Sequence, residues 1–372
     1  MNLADMLCYA DIHELNRIAR NYECDSSSHS KNELIQSILA ALGRKDLFES
    51  LISGMELEDI RFLNALLFDR RETFSLEELV ARASQTQESK EEPGRSPRDL
   101  ISRFKQRGWL FNGHSQQTKY LFQVPDDLKK RFSETLGRIF ARKLIYTQAA
   151  PRVYRDEQSM LSDDLLCFLR KLDQQELPIN AEGFLYKRQL QQILEGLAVP
   201  EEPVGKTAWR FGYGRRFREY PARFSFLYDY CYFQGYLEEN GPQLRLTPAG
   251  RAAVEQARKE DVAHLYAFWL RLYRGPIPNL PSLVYWMQEL TGQWVTAASL
   301  AEVLCPLIKP YYYDSPQAIF EQRFLPMLSH LGLLRIGVDE QFGSVVQMSV
   351  LGQSVVRGTY VTGEETINLQ SV

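Results

Sequence analysis

With 372 residues, 44% apolar and 24% charged, the chain has length for two or three globular domains and an ordinary globular composition. A net charge of −3 and a pI near 6.1 argue against a protein that grips nucleic acid over its whole surface, and leave room for a local basic face. The five cysteines (Cys8, Cys24, Cys167, Cys231, Cys305) are scattered and contain no CxxC, which argues against a zinc site and a disulfide framework; with no long apolar run and no signal-like N-terminus, a cytoplasmic protein without a membrane segment is expected.

In chain order, Leu3–Arg20 has partly helical spacing. After a polar link, Ser30 and Glu33 have capping-box spacing before Leu34, Ile35, Ile38 and Leu39, with Gly43 expected as the residue after the helix. Leu57–Phe68 is an apolar helix, Ser75 caps a second, Gln85–Pro97 is a loop, and Pro97–Arg107 is a third helix. Two alternating segments, Gly108–Phe111 and Thr118–Val124, flank an Asn112-Gly-His-Ser turn. A long helix then runs from Pro125 to about Thr147. Over Lys129–Arg155 eight positive charges face Glu134 alone, so this stretch is read as a solvated linker helix or a helix contacting nucleic-acid backbone through Lys129, Lys130, Arg138 and Arg142.

A new unit opens near Gln158, with helices at Met160–Leu172 and Phe184–Leu197 around a short extended Leu177-Pro-Ile. Lys206–Phe224 then interleaves six cations with rings against one acid, Glu219. Arg and Lys neutralise phosphates and rings stack on bases, so Lys206, Trp209, Arg210, Arg215, Arg216, Arg218 and Arg223 are the leading candidates for nucleic-acid contact. The competing expectation is that the rings are core and the arginines pair with acids such as Glu201, Glu202 or Glu219. Ala222–Gln234 shows an amphipathic helix face (Phe224, Leu227, Tyr228, Cys231, Tyr232), Gly235 ends it, a hairpin comes next, and Thr247-Pro248 caps another helix. The last third has helices at Ala263–Tyr273, Ser282–Thr291, Ala297–Leu307 and Gln317–Leu331, then strands at Leu333–Ile336 and Ser344–Ser349 and a short closing helix.

Three endings align: GWLF…TKYLFQVPDDL, GYLE…QLRLTPAGRAAV and GLLR…VVQMSVLGQSVV, each a helix-ending glycine, strand, turn, strand and new helix. The expected fold is mainly α with short β-hairpins (α+β), as tandem winged-helix domains: a helical motif at 1–54, winged helices at 55–127, 157–257 and 258–360, a basic linker helix at 128–156 and a tail at 361–372.

On LNRIAR…SKNELIQSIL the N-terminus resembles the helix-extension-helix motif of SAP and Rho-N-type nucleic-acid-binding modules. That resemblance implies contact through Ser30, Lys31 and Asn32, although the link is poorer in basic residues than that family shows; a helical hairpin packing on the next helices of the chain stays open. LTPAGRAAV and its flanking units resemble the winged-helix region of bacterial helicase-associated proteins, related to the N-terminal part of XPB-type helicases. The resemblance implies an accessory of DNA repair or transcription machinery, nucleoid-associated if it binds DNA, with single- or double-stranded DNA and a helicase or other protein of such a complex as partners. No helicase core accompanies it in this sequence.

Signatures of chemistry are weak. Gly205-Lys206-Thr207 lacks the earlier glycine of a phosphate loop, where Pro200 stands. His13, His29, His114, His264 and His330 do not pair at helical spacing, and Asp163-Asp164 suit a helix start. The expectation is a non-enzyme with no catalytic or metal residues, cofactor or small-molecule substrate. Its alternative role is protein–protein docking within a larger complex, without nucleic acid.

Overall fold

A computed structural model describes residues 1–24, 30–69, 71–86, 96–205, 210–358 and 367. The chain is mainly helical with small antiparallel sheets, and divides into two compact units, Met1–Lys143 and Leu144–Val372. None of its described helices is long and apolar enough to cross a membrane.

The N-terminal unit runs α1 (Leu3–Tyr9), α2 (Ile12–Asn21), α3 (Lys31–Gly43), α4 (Lys45–Ser53), α5 (Leu57–Leu67), α6 (Leu76–Thr86), α7 (Pro97–Gln106), β1 (Phe111–Asn112), β2 (Phe122–Gln123) and α8 (Asp126–Ala141). Local chemistry explains the starts. Ser75 and Glu78 exchange reciprocal bonds before α6, and Ser96 and Asp99 do the same before α7, whose first residue is Pro97. Ser30 makes no such side-chain bond, and Gly43 lies inside α3 rather than after it. The core is a chain of rings from α5 to α4: Phe62–Phe104 at 5.0 Å, Phe104–Trp109 at 5.4 Å, Trp109–Phe132 at 5.1 Å and Phe132–Phe48 at 5.2 Å. The N-terminal helices pack on the end of α7: Ile18 of α2 meets Gly108, and the Tyr22 hydroxyl donates to the Arg107 carbonyl at 2.6 Å.

The expected basic linker helix is an integral part of this unit. Leu128, Phe132, Leu136 and Phe140 of α8 are buried, and Arg131 closes the C-terminal end of α3 by donating to the carbonyls of Leu42, Gly43 and Arg44. The helix stops at Ala141, short of Thr147.

The C-terminal unit runs β3 (Val153–Arg155), α9 (Met160–Gln174), β4 (Leu177–Pro178), α10 (Lys187–Leu194), α11 (Ala222–Phe233), β5 (Leu237–Asn240), β6 (Gln243–Leu246), α12 (Pro248–Glu255), α13 (Val262–Leu272), α14 (Leu280–Leu290), β7 (Val295–Thr296), α15 (Ala297–Leu304), α16 (Pro316–Ile319), α17 (Leu325–His330), β8 (Leu334–Asp339), β9 (Gly343–Met348) and α18 (Val350–Gly358). A π turn, Phe320–Phe324, joins α16 to α17. The helix α11 is buried on nearly every face from Arg223 to Cys231, not on the single expected stripe.

One local arrangement occurs three times. A short extended segment after a helix pairs with the second strand of a later hairpin: Phe74 bonds Phe122 in both directions, β4 pairs β6, and β7 pairs β9. The sheet orders are β4-β6-β5 and β3-β8-β9-β7, with β3 added at one edge. The helix before each hairpin ends alike. Gly108, Gly235 and Gly332 have φ of +64°, +69° and +71°, where a side chain is strained. The following amide reaches back to the carbonyl five residues earlier, Trp109 to Phe104 at 3.0 Å, Tyr236 to Cys231 at 2.9 Å and Leu333 to Leu328 at 2.9 Å.

Candidate nucleic-acid interface

The basic-aromatic segment is built inward. The Glu201 carboxylate accepts the Arg223 and Phe224 amides at 3.0 and 2.8 Å, starting α11. Tyr213, Phe217, Tyr220 and Phe224 are buried, with Tyr213–Phe217 and Tyr220–Phe224 each 5.2 Å apart. Rings packed so tightly leave no water for a neighbouring cation, so each buried guanidinium requires an internal acceptor.

Most of the predicted cations have one. Arg215 clasps Glu239 with both terminal nitrogens, at 3.0 and 3.3 Å, and lies 3.7 Å over the Tyr232 ring. Arg216 reaches the same carboxylate at 2.6 Å and the Glu182 carbonyl at 2.9 Å, while the Tyr228 hydroxyl adds a bond at 2.8 Å. Burial raises the Glu239 pKa, but these donors outweigh it and hold the carboxyl at about 2. Arg223 is wholly buried between Glu157, at 3.3 Å, and Asp164, at 2.7 Å. Burial lowers its pKa and raises that of Asp164. Glu157 is also buried; Arg155 and His330 share its carboxylate and overcome the burial that would neutralise it.

The expectation that Arg215, Arg216 and Arg223 face phosphates is therefore corrected: these side chains are committed to internal carboxylates. Their partners are neither Glu202 nor Glu219, and Glu201 serves backbone amides instead. Arg218 is 67% exposed and pairs with Glu219 at 3.2 Å. Arg210 turns inward, 4.4 Å over the Phe217 ring, donating to the Phe217 and Tyr220 carbonyls at 3.3 and 3.4 Å. Lys206 and Trp209 lie outside the described residues.

The second predicted group sits on α8. Lys129 pairs with Asp126 at 3.3 Å, and Arg142 pairs with Glu49. Arg138 donates to the Thr135 hydroxyl at 3.0 Å, with Glu49 at 4.0 Å, and Lys130 is exposed. Of the SAP-like positions, Lys31 bonds the Cys8 carbonyl at 2.7 Å.

A different cluster in the N-terminal unit carries two exposed cations, Arg17 and Arg98, and the half-buried Lys105. Arg98, Ser102, Lys105 and Gln106 share one face of α7. They line a cleft of about 380 Å³ with Arg17 and Glu14 of α2, Leu76 at the start of α6 and Phe122 of β2. Lys105 donates to Asn112 at 2.9 Å and lies over the Phe122 ring. Arg17 and Arg98 make no ion pair with a described residue. Arg103 and Arg107 on the other side of α7 are held by Asp59 at 2.6 and 3.0 Å. The β1–β2 hairpin beside the cleft presents Lys119 and Tyr120, the latter 74% exposed. Sequence reasoning missed this cluster: Arg17 and Arg98 lie in residues 1–100, which carry twelve Lys and Arg against nineteen acids, so no local run of cations marks it.

No protein-family model matches this chain, and no curated protein sequence does. Among the described residues, no group of three or more His, Cys, Asp or Glu side chains is placed to hold a metal ion.

Proposed function

We propose that this chain is a non-enzymatic nucleic-acid-binding protein assembled from three winged-helix units, and that the N-terminal unit contacts the phosphate backbone of a duplex. The observation that carries this reading is the α7 face, where Arg98 and Lys105 stand in line with Ser102 and Gln106, and Arg17 lines the same cleft without an ion pair among the described residues. In a winged helix the third helix and the hairpin are the elements that meet DNA. Here α7 is the third helix of the α5–α6–α7 group that precedes the β1–β2 hairpin, and Lys119 and Tyr120 are on that hairpin. Cations not held by a carboxylate are those whose counterions a phosphate can displace; Ser and Gln supply neutral donors to phosphate or base edges. Three recurrences of one strand order and one glycine-terminated helix support the winged-helix reading. The resemblance to helicase-associated proteins supports an accessory role beside a DNA repair or transcription helicase.

The test is a fluorescence-anisotropy titration of a labelled duplex at low salt, comparing the native chain with a variant carrying Arg17→Gln, Arg98→Gln and Lys105→Gln. Arg17 and Arg98 are exposed and Lys105 is half-buried with one neutral hydrogen bond, so the variant should melt close to the native temperature and lose roughly tenfold or more in affinity. Unchanged duplex affinity in a folded variant would contradict the assignment.

A further inference from the structure

The turn between β1 and β2 is fixed at several points. Ser115 and Thr118 share a hydroxyl–hydroxyl bond at 2.8 Å, and each hydroxyl accepts the other residue's amide, at 3.2 and 3.1 Å. The Lys119 amide closes on the Ser115 carbonyl at 2.9 Å. Asn112 ties the turn to the α7 cleft: its side-chain oxygen accepts from Lys105 at 2.9 Å, and its side-chain nitrogen donates to the Lys119 carbonyl at 3.1 Å. From α1, Tyr9 stacks on His114 of the turn, at 4.5 Å and 20°.

Tyr120, held on this braced turn, contributes little to the fold. It is 74% exposed, and no hydrogen bond or ring pair joins its side chain to a described residue. The Lys119 ammonium lies 4.9 Å from the centre of its ring. Lys119 is itself exposed and pairs with no carboxylate among the described residues, so its charge is available to a ligand. A cation over one face of a ring leaves the opposite face to a second flat partner, and the pair together suits a base with its phosphate.

Backbone contact along a continuous duplex calls for cations and small donors, which α7 supplies, and has no use for a projecting ring. Within the duplex both faces of every base pair are covered by their neighbours; only the terminal pair has a free face. We propose that Tyr120 stacks on the terminal base pair of a duplex end, with Lys119 beside the adjoining phosphate, so that the ligand of the α7 cleft is a duplex end in place of a continuous duplex. This inference rests on the α7 reading and names the form of duplex that the site takes.

The test compares a short blunt duplex with the same duplex closed at each end by an aromatic linker that stacks over the terminal pair. The native chain should prefer the open duplex about tenfold, the worth of one base stacked on an aromatic side chain. Tyr120→Ala should bring that ratio to about one, while Tyr120→Phe and Tyr120→Trp keep it. The exposed ring holds nothing in place, so Tyr120→Ala should melt with the native chain. A fluorescent adenine analogue in the terminal pair should change its emission on binding the native chain or Tyr120→Phe, and not on binding Tyr120→Ala. The Arg17→Gln, Arg98→Gln, Lys105→Gln variant should bind both duplexes more weakly and leave their ratio at about tenfold. Equal native affinity for open and closed duplexes, a ratio unmoved by Tyr120→Ala, or a ratio lost in Tyr120→Phe would overturn this inference and leave the α7 reading standing. Native affinity in the triple variant would instead remove the α7 reading, and this inference with it.

Discussion

Replacing Glu239 by glutamine removes one negative charge from between two arginines while keeping the side chain's shape. Arg215 and Arg216 are only 9% and 12% exposed, and the carboxylate itself 17%, so water cannot replace the lost charge. Holding this carboxyl at about 2 rather than its ordinary 4.5 corresponds to about 3 kcal/mol favouring the ionised form. Glutamine imitates the protonated acid, so Glu239→Gln should cost about 3 kcal/mol at pH 7, within the range for breaking a buried pair. Because the folded pKa is depressed, this stabilisation is fully present above the ordinary value of 4.5 and is lost as pH falls through about 2. Urea denaturation followed by near-ultraviolet circular dichroism should therefore show a gap between native and variant chains that is constant near neutrality and closes over that acidic range. Duplex affinity of the folded variant should be unchanged. Equal stability at pH 7, with weakened nucleic-acid binding, would refute the structural assignment and return Arg215 and Arg216 to the ligand.

Arg223→Met leaves Asp164 buried without its cation and should cost about 3–5 kcal/mol in thermal unfolding, part of which Asp164→Asn should restore in the double variant. Gly235→Ala meets only the penalty of a positive φ, about 1 kcal/mol, since nothing lies within 4 Å of its added carbon. Gly332→Ala should lose at least twice as much, because its added carbon would lie 2.1 Å from the Gln158 carbonyl oxygen; equal losses in the two variants would contradict that packing.

What was legible in the sequence was local. The glycines at 108, 235 and 332 each close a helix through bonds to residues only a few positions back, so their spacing carries the repeat. Thr247 and Ser75 cap helices for the same reason, by bonding amides three residues on. Charge pairing was not local. Arg215 finds Glu239 24 residues away and Arg223 finds Glu157 66 residues away, so the sequence left contact with nucleic acid and internal pairing both open, and the acids it offered as partners were nearby ones. The α7 cleft was obscured in the opposite way: its cations come from α2 and α7 and are spread through the chain instead of forming a run.

The slope of log affinity against log salt, measured with a duplex for the native chain and for the Arg17→Gln, Arg98→Gln, Lys105→Gln variant, tests the central claim most directly. Three phosphate contacts correspond to a slope difference of about 2.7, so a fourfold rise in salt should weaken the native chain about 40-fold more than the variant. Parallel slopes would place the phosphate contacts elsewhere and contradict the assignment to α7.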